Sequence, residues 1–136
     1  MHLLESLTRL ISRFRYPVSL PEDVAHDLGM YLPNSLNFQE FLQILASPQQ
    51  RPAKLRKYMS RTLAESTFES ALKKEAFKSC SLFSYYFNKG WLVFALYFDE
   101  DSRLRRVYLQ CPAACEPIDG FDLALEDELL AQASSH

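Results

Sequence analysis

The side chains most able to do chemistry are the sulfur ligands. Cys111 and Cys115 stand in a C-x3-C spacing, and with Cys80 close to Cys111 across a sheet they would offer three thiolates to a tetrahedral zinc ion. A histidine would have to complete the set, but His2, His26 and His136 fall in no ligand pattern, so free or packed thiols are expected and no metal. Asp99, Glu100 and Asp101 resemble the start of a calcium loop. The loop lacks its turn glycine and its closing glutamate, and Arg103 opposes a cation, so a solvated hairpin turn is expected instead. Catalysis needs a nucleophile, a base and a group that orients the base, and no such set converges. There is no glycine-rich phosphate loop and no nucleophile elbow, and the chain's three glycines leave few places for backbone to approach a cofactor. The chain is therefore not read as an enzyme and no cofactor is expected; an enzyme built from scattered residues ranks third among its roles.

The charges sum to −2 but are unevenly placed. No acid lies between Glu40 and Glu65, where Arg51, Lys54, Arg56, Lys57 and Arg61 gather. No base follows Pro112, where Glu116, Asp119, Asp122, Glu126, Asp127 and Glu128 lie. These blocks are expected to pair with each other or with partners. Ala25 to Gly29 has the Ala-x3-Gly spacing of a helix-turn-helix, and a basic segment and strands follow as in a winged helix. Glu22, Asp23 and Asp27 would then face phosphate, and Ser35 sits where a branched apolar residue belongs, so Gly29 reads better as a helix C-cap. A nucleic-acid-binding regulator using Arg51, Lys54, Arg56, Lys57 and Arg61 is thus the second-ranked function, and nucleic acid is not the expected partner.

The elements that must position these residues follow from spacing. Leu3, Leu4, Leu7, Leu10, Ile11 and Phe14 form one stripe of an amphipathic helix that Tyr16-Pro17 ends. With Arg9, Arg13 and Arg15 against one acid, Glu5, residues 2–15 also suit peripheral membrane contact, though packing into a core is the preferred reading. Ser19 and Glu22 form a capping box around Pro21 and predict a short helix with Leu20, Val24 and Leu28 up to Gly29. Asn37 and Glu40 predict another, with Phe38, Phe41, Leu42 and Leu45 inward and Leu36 as a staple. Ala53 to Ser60 reads as a basic helical piece. Ser66 with Glu69 opens a further helix carrying Phe68, Ala71, Leu72 and Phe77 inward. An acidic helix from about Asp122 to Ala133 closes the chain.

From Cys80 the apolar period changes from 3.6 to 2. A three-stranded antiparallel meander is expected at about 80–88, 91–98 and 103–111, with a turn at Asn88-Lys89-Gly90 and an end at Pro112. Its middle strand is apolar on both faces. Trp91, Val93, Ala95 and Tyr97 lie on one face, and Leu92, Phe94, Leu96 and Phe98 on the other, so both faces need cover.

The fold class is therefore α+β, with a helical N-terminal half, the meander and a C-terminal acidic helix. The 136 residues fit a single domain, 1–136, with residues 47–52 as the only candidate internal seam. An apolar fraction of 48% with 13% aromatic residues marks a folded chain. Three cysteines cannot all pair within one chain, and no secretory leader pattern precedes them, so a reduced, cytoplasmic setting is expected. The longest apolar run, Trp91 to Phe98, falls far short of the roughly 20 residues that span a bilayer.

Ser66 to Leu109 resembles the repeat of small outer-membrane assembly lipoproteins and β-lactamase-inhibitor-like proteins. In that repeat a helix precedes three antiparallel strands. The matching residues are Tyr85 to Phe87, Gly90, Phe98-Asp99, Leu104 and Val107, and the resemblance implies a non-catalytic binding sheet. In architecture the chain is also similar to the small acidic, dimeric chaperones of type III secretion effectors.

The expected function is non-catalytic protein interaction, as an adaptor, chaperone-like or self-associating domain. An aromatic sheet face or edge strand would be buried against another protein or a second copy of the chain. Tyr85, Phe87, Trp91, Tyr97 and Tyr108 are the contact candidates, with Arg103, Arg105 and Arg106 as a charged rim.

Overall fold

A computed structural model of the chain describes residues 18–33, 36–87, 90–110 and 120–127. The change of period at Cys80 coincides with a change of element. Before it lie helices α1 (Pro21–Leu28), α2 (Phe38–Ala46) and α3 (Arg61–Ser66), with strands β1 (Arg56–Lys57) and β2 (Lys73–Ala76). After it come β3 (Cys80–Phe87), β4 (Gly90–Phe98), β5 (Leu104–Gln110), β6 (Gly120–Asp122) and β7 (Glu126–Asp127). The chain is α+β, and its sheet is antiparallel with five strands in the order β2-β3-β4-β5-β6. The expected meander is its centre.

Local chemistry explains the first two helices. At α2, Asn37 Oδ1 accepts from the Glu40 amide at 2.8 Å and Glu40 Oε1 accepts from the Asn37 amide at 3.2 Å, the reciprocal cap that the spacing predicts. At α1 the cap lies one residue later than expected. Pro21 occupies the first turn, Leu20 is the cap residue, and its amide donates to Asp23 Oδ2 at 2.9 Å. Ser19 is instead drawn to the sheet, its amide donating to the Tyr86 carbonyl at 2.6 Å. Gly29 ends α1 at φ 71°, a left-handed position that favours glycine.

Three expected helices differ in the structure. Residues 53–60 are not helical. The Lys54 amide bonds Leu28 O at 3.0 Å, the Tyr58 amide bonds Leu104 O at 2.6 Å, and β1 pairs in parallel with β7. Tertiary ladders there override a weak helical preference, and Tyr58 adopts φ 76°, which no helix tolerates. The helix expected from Ser66 is displaced toward the N-terminus. Ser60 caps it by accepting from the Leu63 amide at 3.4 Å, and it ends at Ser66. Residues 67–72 form turns, and Lys73–Ala76 then forms β2, because the open edge of β3 offers hydrogen bonds that an isolated segment cannot match. Phe68 is fully buried as expected, but Phe77 is 54% exposed. The acidic helix expected from Asp122 does not begin there: Gly120–Asp122 pairs antiparallel with β5 and Glu126–Asp127 pairs in parallel with β1, while residues 128–133 lie outside the described residues. The amphipathic helix expected at residues 2–15, with its membrane reading, also lies outside them.

The main core lies between one sheet face and the helices. Val24, Leu28, Phe41, Leu42, Leu45 and Ala64 meet Phe83, Tyr85, Phe87, Leu92, Phe94, Leu96, Val107 and Leu109 in one cluster that also takes in Leu55, Met59, Phe68 and Leu123. This cluster crosses residues 47–52 without a break. Phe68 stacks on Phe83 at 4.6 Å and tilts against Phe94 at 5.3 Å, and Phe38 meets Phe87 at 5.0 Å. Each such aromatic burial stabilises the fold by about 1.5–3 kcal/mol.

Candidate functional site

The register divides the meander residues between two faces. Phe83, Tyr85 and Phe87 stand beside Phe94, Leu92 and Gly90, and Leu109 and Val107 stand beside Phe94 and Leu96; their side chains form the helix-covered core. The opposite face carries Tyr86 beside Trp91, Ser84 beside Val93, Leu82 beside Ala95 with Tyr108 on its far side, and Cys80 beside Tyr97 with Arg106 on its far side. Two of the sequence-predicted contact residues, Tyr85 and Phe87, are therefore core residues at 0% and 5% exposure. Trp91, Tyr97, Tyr108 and Arg106 come together on the second face.

Tyr85 has a structural task. Its hydroxyl donates to Asp27 Oδ2 at 2.6 Å, and the same carboxylate accepts from the Ser70 amide at 2.9 Å and the Ser70 hydroxyl at 3.1 Å. Asp27 is buried, so these bonds supply the donors that water would otherwise give and fix α1 to the sheet and to the loop before β2. Burial, and then the bond to Asp27, pushes the Tyr85 hydroxyl well above the usual tyrosine value. Asp27 thus points inward and does not oppose a phosphate backbone.

At the far end of the second face, Arg106 lies over the Tyr108 ring at 5.0 Å and over the Tyr97 ring at 5.8 Å. Asp122 grips the guanidinium at Nε and at a terminal nitrogen, the latter at 3.3 Å. That hydrogen bond holds the guanidinium above its already high ordinary value. Gly120 makes the arrangement possible, because a Cβ there would come within 2.8 Å of the Tyr108 ring. Tyr97 is 40% exposed, Arg106 is exposed and Tyr108 is half-buried. Sequence periodicity placed Trp91 and Tyr97 together. It could not place Asp122, which joins the site through β6, a strand too short to carry a pattern.

The other arginines of the expected rim lie elsewhere. Arg105 is the extra residue between the pairs Tyr97–Arg106 and Phe98–Leu104, and this bulge turns its side chain toward Asp99 at 3.4 Å and over the Tyr58 ring at 4.9 Å. Arg103 is exposed and bridges to Ser60. Asp99 also accepts from the Arg103 amide at 3.0 Å and the Asp101 amide at 2.9 Å, the expected solvated turn, and these bonds hold its carboxyl below the usual range.

The basic segment is largely committed within the chain. Arg61 donates to Lys78 O at 2.7 Å, Phe77 O at 2.6 Å and Ser81 Oγ at 3.1 Å, pairs with Glu65 at 3.3 Å and lies 4.9 Å over the Phe98 ring. It closes the β2–β3 turn by satisfying the carbonyls there. Arg56 and Lys57 stand opposite Glu126 and Asp127 in the β1–β7 ladder, so the basic and acidic blocks meet each other. Arg51 donates to Pro48 O at 3.3 Å and Lys54 to His26 O at 3.2 Å.

A concavity of about 410 Å³ lies between residues 53–59 and α3, lined among others by Lys54, Arg56, Met59, Leu63, Thr67 and Glu69. It brings together two bases and one acid, with no nucleophile held by a base among them. Among the described residues no group of three His, Cys, Asp or Glu side chains is placed to hold a metal. Cys80 is half-buried and burial raises its thiol; Cys111 and Cys115 lie outside the described residues. No described helix is long and apolar enough to cross a membrane.

Comparison with family models, with curated proteins and with solved structures finds no match to this chain. The site must therefore be read from its own chemistry. Tyrosine, tryptophan and arginine are the side chains that most often anchor protein interfaces; the two aromatics are large and amphipathic with few rotors to freeze, and arginine presents a planar guanidinium that stacks on rings and pairs with carboxylates. The exposed end of the second face holds two tyrosines and an arginine in register, with the arginine's own counter-ion beside it.

Proposed function

We propose that the chain is a non-catalytic protein-interaction domain that self-associates through the Tyr97, Arg106 and Tyr108 end of its second sheet face. The observation that carries this reading is the Arg106–Asp122 pair set against the two tyrosine rings on an open end of the sheet. A face holding both a cation and its carboxylate is complementary to itself. Across a two-fold axis Arg106 of one copy can exchange Asp122 for that of the second copy while the tyrosine rings stack between them. The commitment of Arg61 and the β1–β7 ladder speak against nucleic acid on the 51–61 segment.

Sedimentation equilibrium across protein and salt concentration tests the proposal. The wild-type chain is expected to form a dimer that persists at high salt, since exposed ion pairs alone would be screened away. Tyr97→Ser with Tyr108→Ser is expected to be monomeric with an unchanged far-ultraviolet circular dichroism spectrum. A chain that stays monomeric throughout and instead retards single-stranded nucleic acid at low salt overturns it.

A further inference from the structure

The other end of the second face poses a different question. Tyr86 and Ala95 are 2% exposed and Ser84 6%, although their side chains point away from α1, α2 and α3. Neighbours on adjacent strands can close the flanks of a tyrosine standing on a sheet, but they do not close its top. Trp91 lies 5.1 Å from Tyr86 and takes the Lys73 ammonium at 4.3 Å, which seals one margin. Tyr86 and Trp91 have further partners beyond these.

We infer that the apolar stripe of residues 3–14 lies across the Tyr86, Ser84 and Ala95 end of this face and covers it within the same chain. Three observations point to this occupant. The Ser19 amide is bonded to the Tyr86 carbonyl at 2.6 Å and Ser19 is buried, so the chain preceding residue 18 enters the fold beside Tyr86. Leu3, Leu4, Leu7, Leu10, Ile11 and Phe14 recur at spacings of three and four, an apolar stripe that needs burial, with Arg9 and Arg13 opposite to face water. A helix of that length runs about 18 Å, close to the width of four neighbouring strands, about 14 Å between outer axes. The described apolar residues of the C-terminal segment are a poorer cover. Leu123 and Leu125 pack into the helix-side core, and β7 joins β1 there.

The inference is separable from the proposed self-association: of the residues it names, only Ala95 borders that end, beside Tyr108, while Ser84 and Tyr86 lie toward the other. Trp91 is the chain's only tryptophan and reports on this end directly. In the full chain, Leu7→Glu with Leu10→Glu is expected to red-shift Trp91 emission and raise its quenching by acrylamide severalfold. Arg9→Glu with Ser12→Glu, on the opposite side of the stripe, is expected to leave both unchanged. Wild-type quenching should not vary with protein concentration, whereas variation would assign the cover to a second copy and overturn the inference. Should the glutamate variant lose the sheet's circular dichroism signal, a second variant decides. Leu10→Cys with Val93→Cys, and Cys80, Cys111 and Cys115 each changed to Ser, should be joined within one chain by a short bismaleimide. No cross-link, or one only between chains, overturns the inference, as does unchanged Trp91 quenching in a folded glutamate variant. Loss of the dimer in Tyr97→Ser with Tyr108→Ser should leave Trp91 quenching as it is, so the two readings fail separately.

Discussion

The two faces of the sheet share the same three central strands yet are built from different materials. Toward the helices stand Phe83, Phe87, Leu92, Phe94, Leu96, Val107 and Leu109, side chains that fill space, and one polar exception, Tyr85, tied to Asp27. Toward the other side stand Tyr86, Trp91, Tyr97 and Tyr108, apolar bodies with polar tips, mixed with Ser84, Arg106 and Gln110. The middle strand alone does not distinguish them, since it is apolar on both faces. Strand β5 does. Its Leu104, Val107 and Leu109 are buried while Arg106 and Gln110 are exposed, which marks one face as core and the other as partly wet.

The comparison breaks first if the helix-side face is less critical than it looks. Phe94 is fully buried against Phe68 and Tyr85, so Phe94→Ala should leave a cavity and lower unfolding stability by about 3–5 kcal/mol, read from the midpoint in urea. A loss below about 1 kcal/mol would mean that the face collapses to fill the gap and is not a close-packed core.

Tyr85 sharpens the same side. Tyr85→Phe removes a hydrogen bond to a charged acceptor and should cost about 1.5–3 kcal/mol at neutral pH. It should also alter alkaline unfolding. The native hydroxyl resists ionisation because of burial first and the Asp27 bond next, so its value is raised above the unfolded chain's ordinary 10.0. A raised value contributes stability that is whole below the unfolded value and declines as pH rises past it, because only the unfolded chain then releases the proton easily. Urea midpoints measured from neutral pH upward should fall less steeply for Tyr85→Phe than for wild type above pH 10. Equal slopes would show that Tyr85 ionises as readily in the folded protein.

How far the sequence discloses this layout depends on whether a segment's structure is set locally. The strands Cys80–Phe87, Gly90–Phe98 and Leu104–Gln110 were legible because alternation is a property of the segment itself. So was α2, whose cap is complete within four residues. The segments at 53–60, 67–77 and 120–127 take their shape from distant edges: β1 from β7, β2 from β3 and β6 from β5. Their own sequences are short, charged or mixed in period, so the helical spacing of Phe68, Ala71 and Leu72 gave way to turns that lead into the Lys73–Ala76 ladder. For the same reason the face holding Trp91 and Tyr97 was readable, whereas the placement of Tyr85 in the core, the turning aside of Arg105 by a bulge and the arrival of Asp122 were not. Each rests on which side of the sheet the helices pack or on a pairing between strands, and a single strand's pattern contains neither.

The smallest expected effect is the most discriminating between the faces. Tyr97 is partly exposed and touches Arg106 across the strand, and the Arg106–Asp122 pair is itself exposed, where ion pairs add about 0–1 kcal/mol. Tyr97→Ala should therefore shift unfolding stability by no more than about 0.5 kcal/mol in dilute solution, where association does not contribute. The same substitution at Phe94, three residues away on the same strand but on the opposite face, is expected to cost several times more. A large loss at Tyr97 would mean that this end of the sheet is a second core closed within one chain. The aromatic end would then be structural, and its tyrosines and arginine would have no surface to offer.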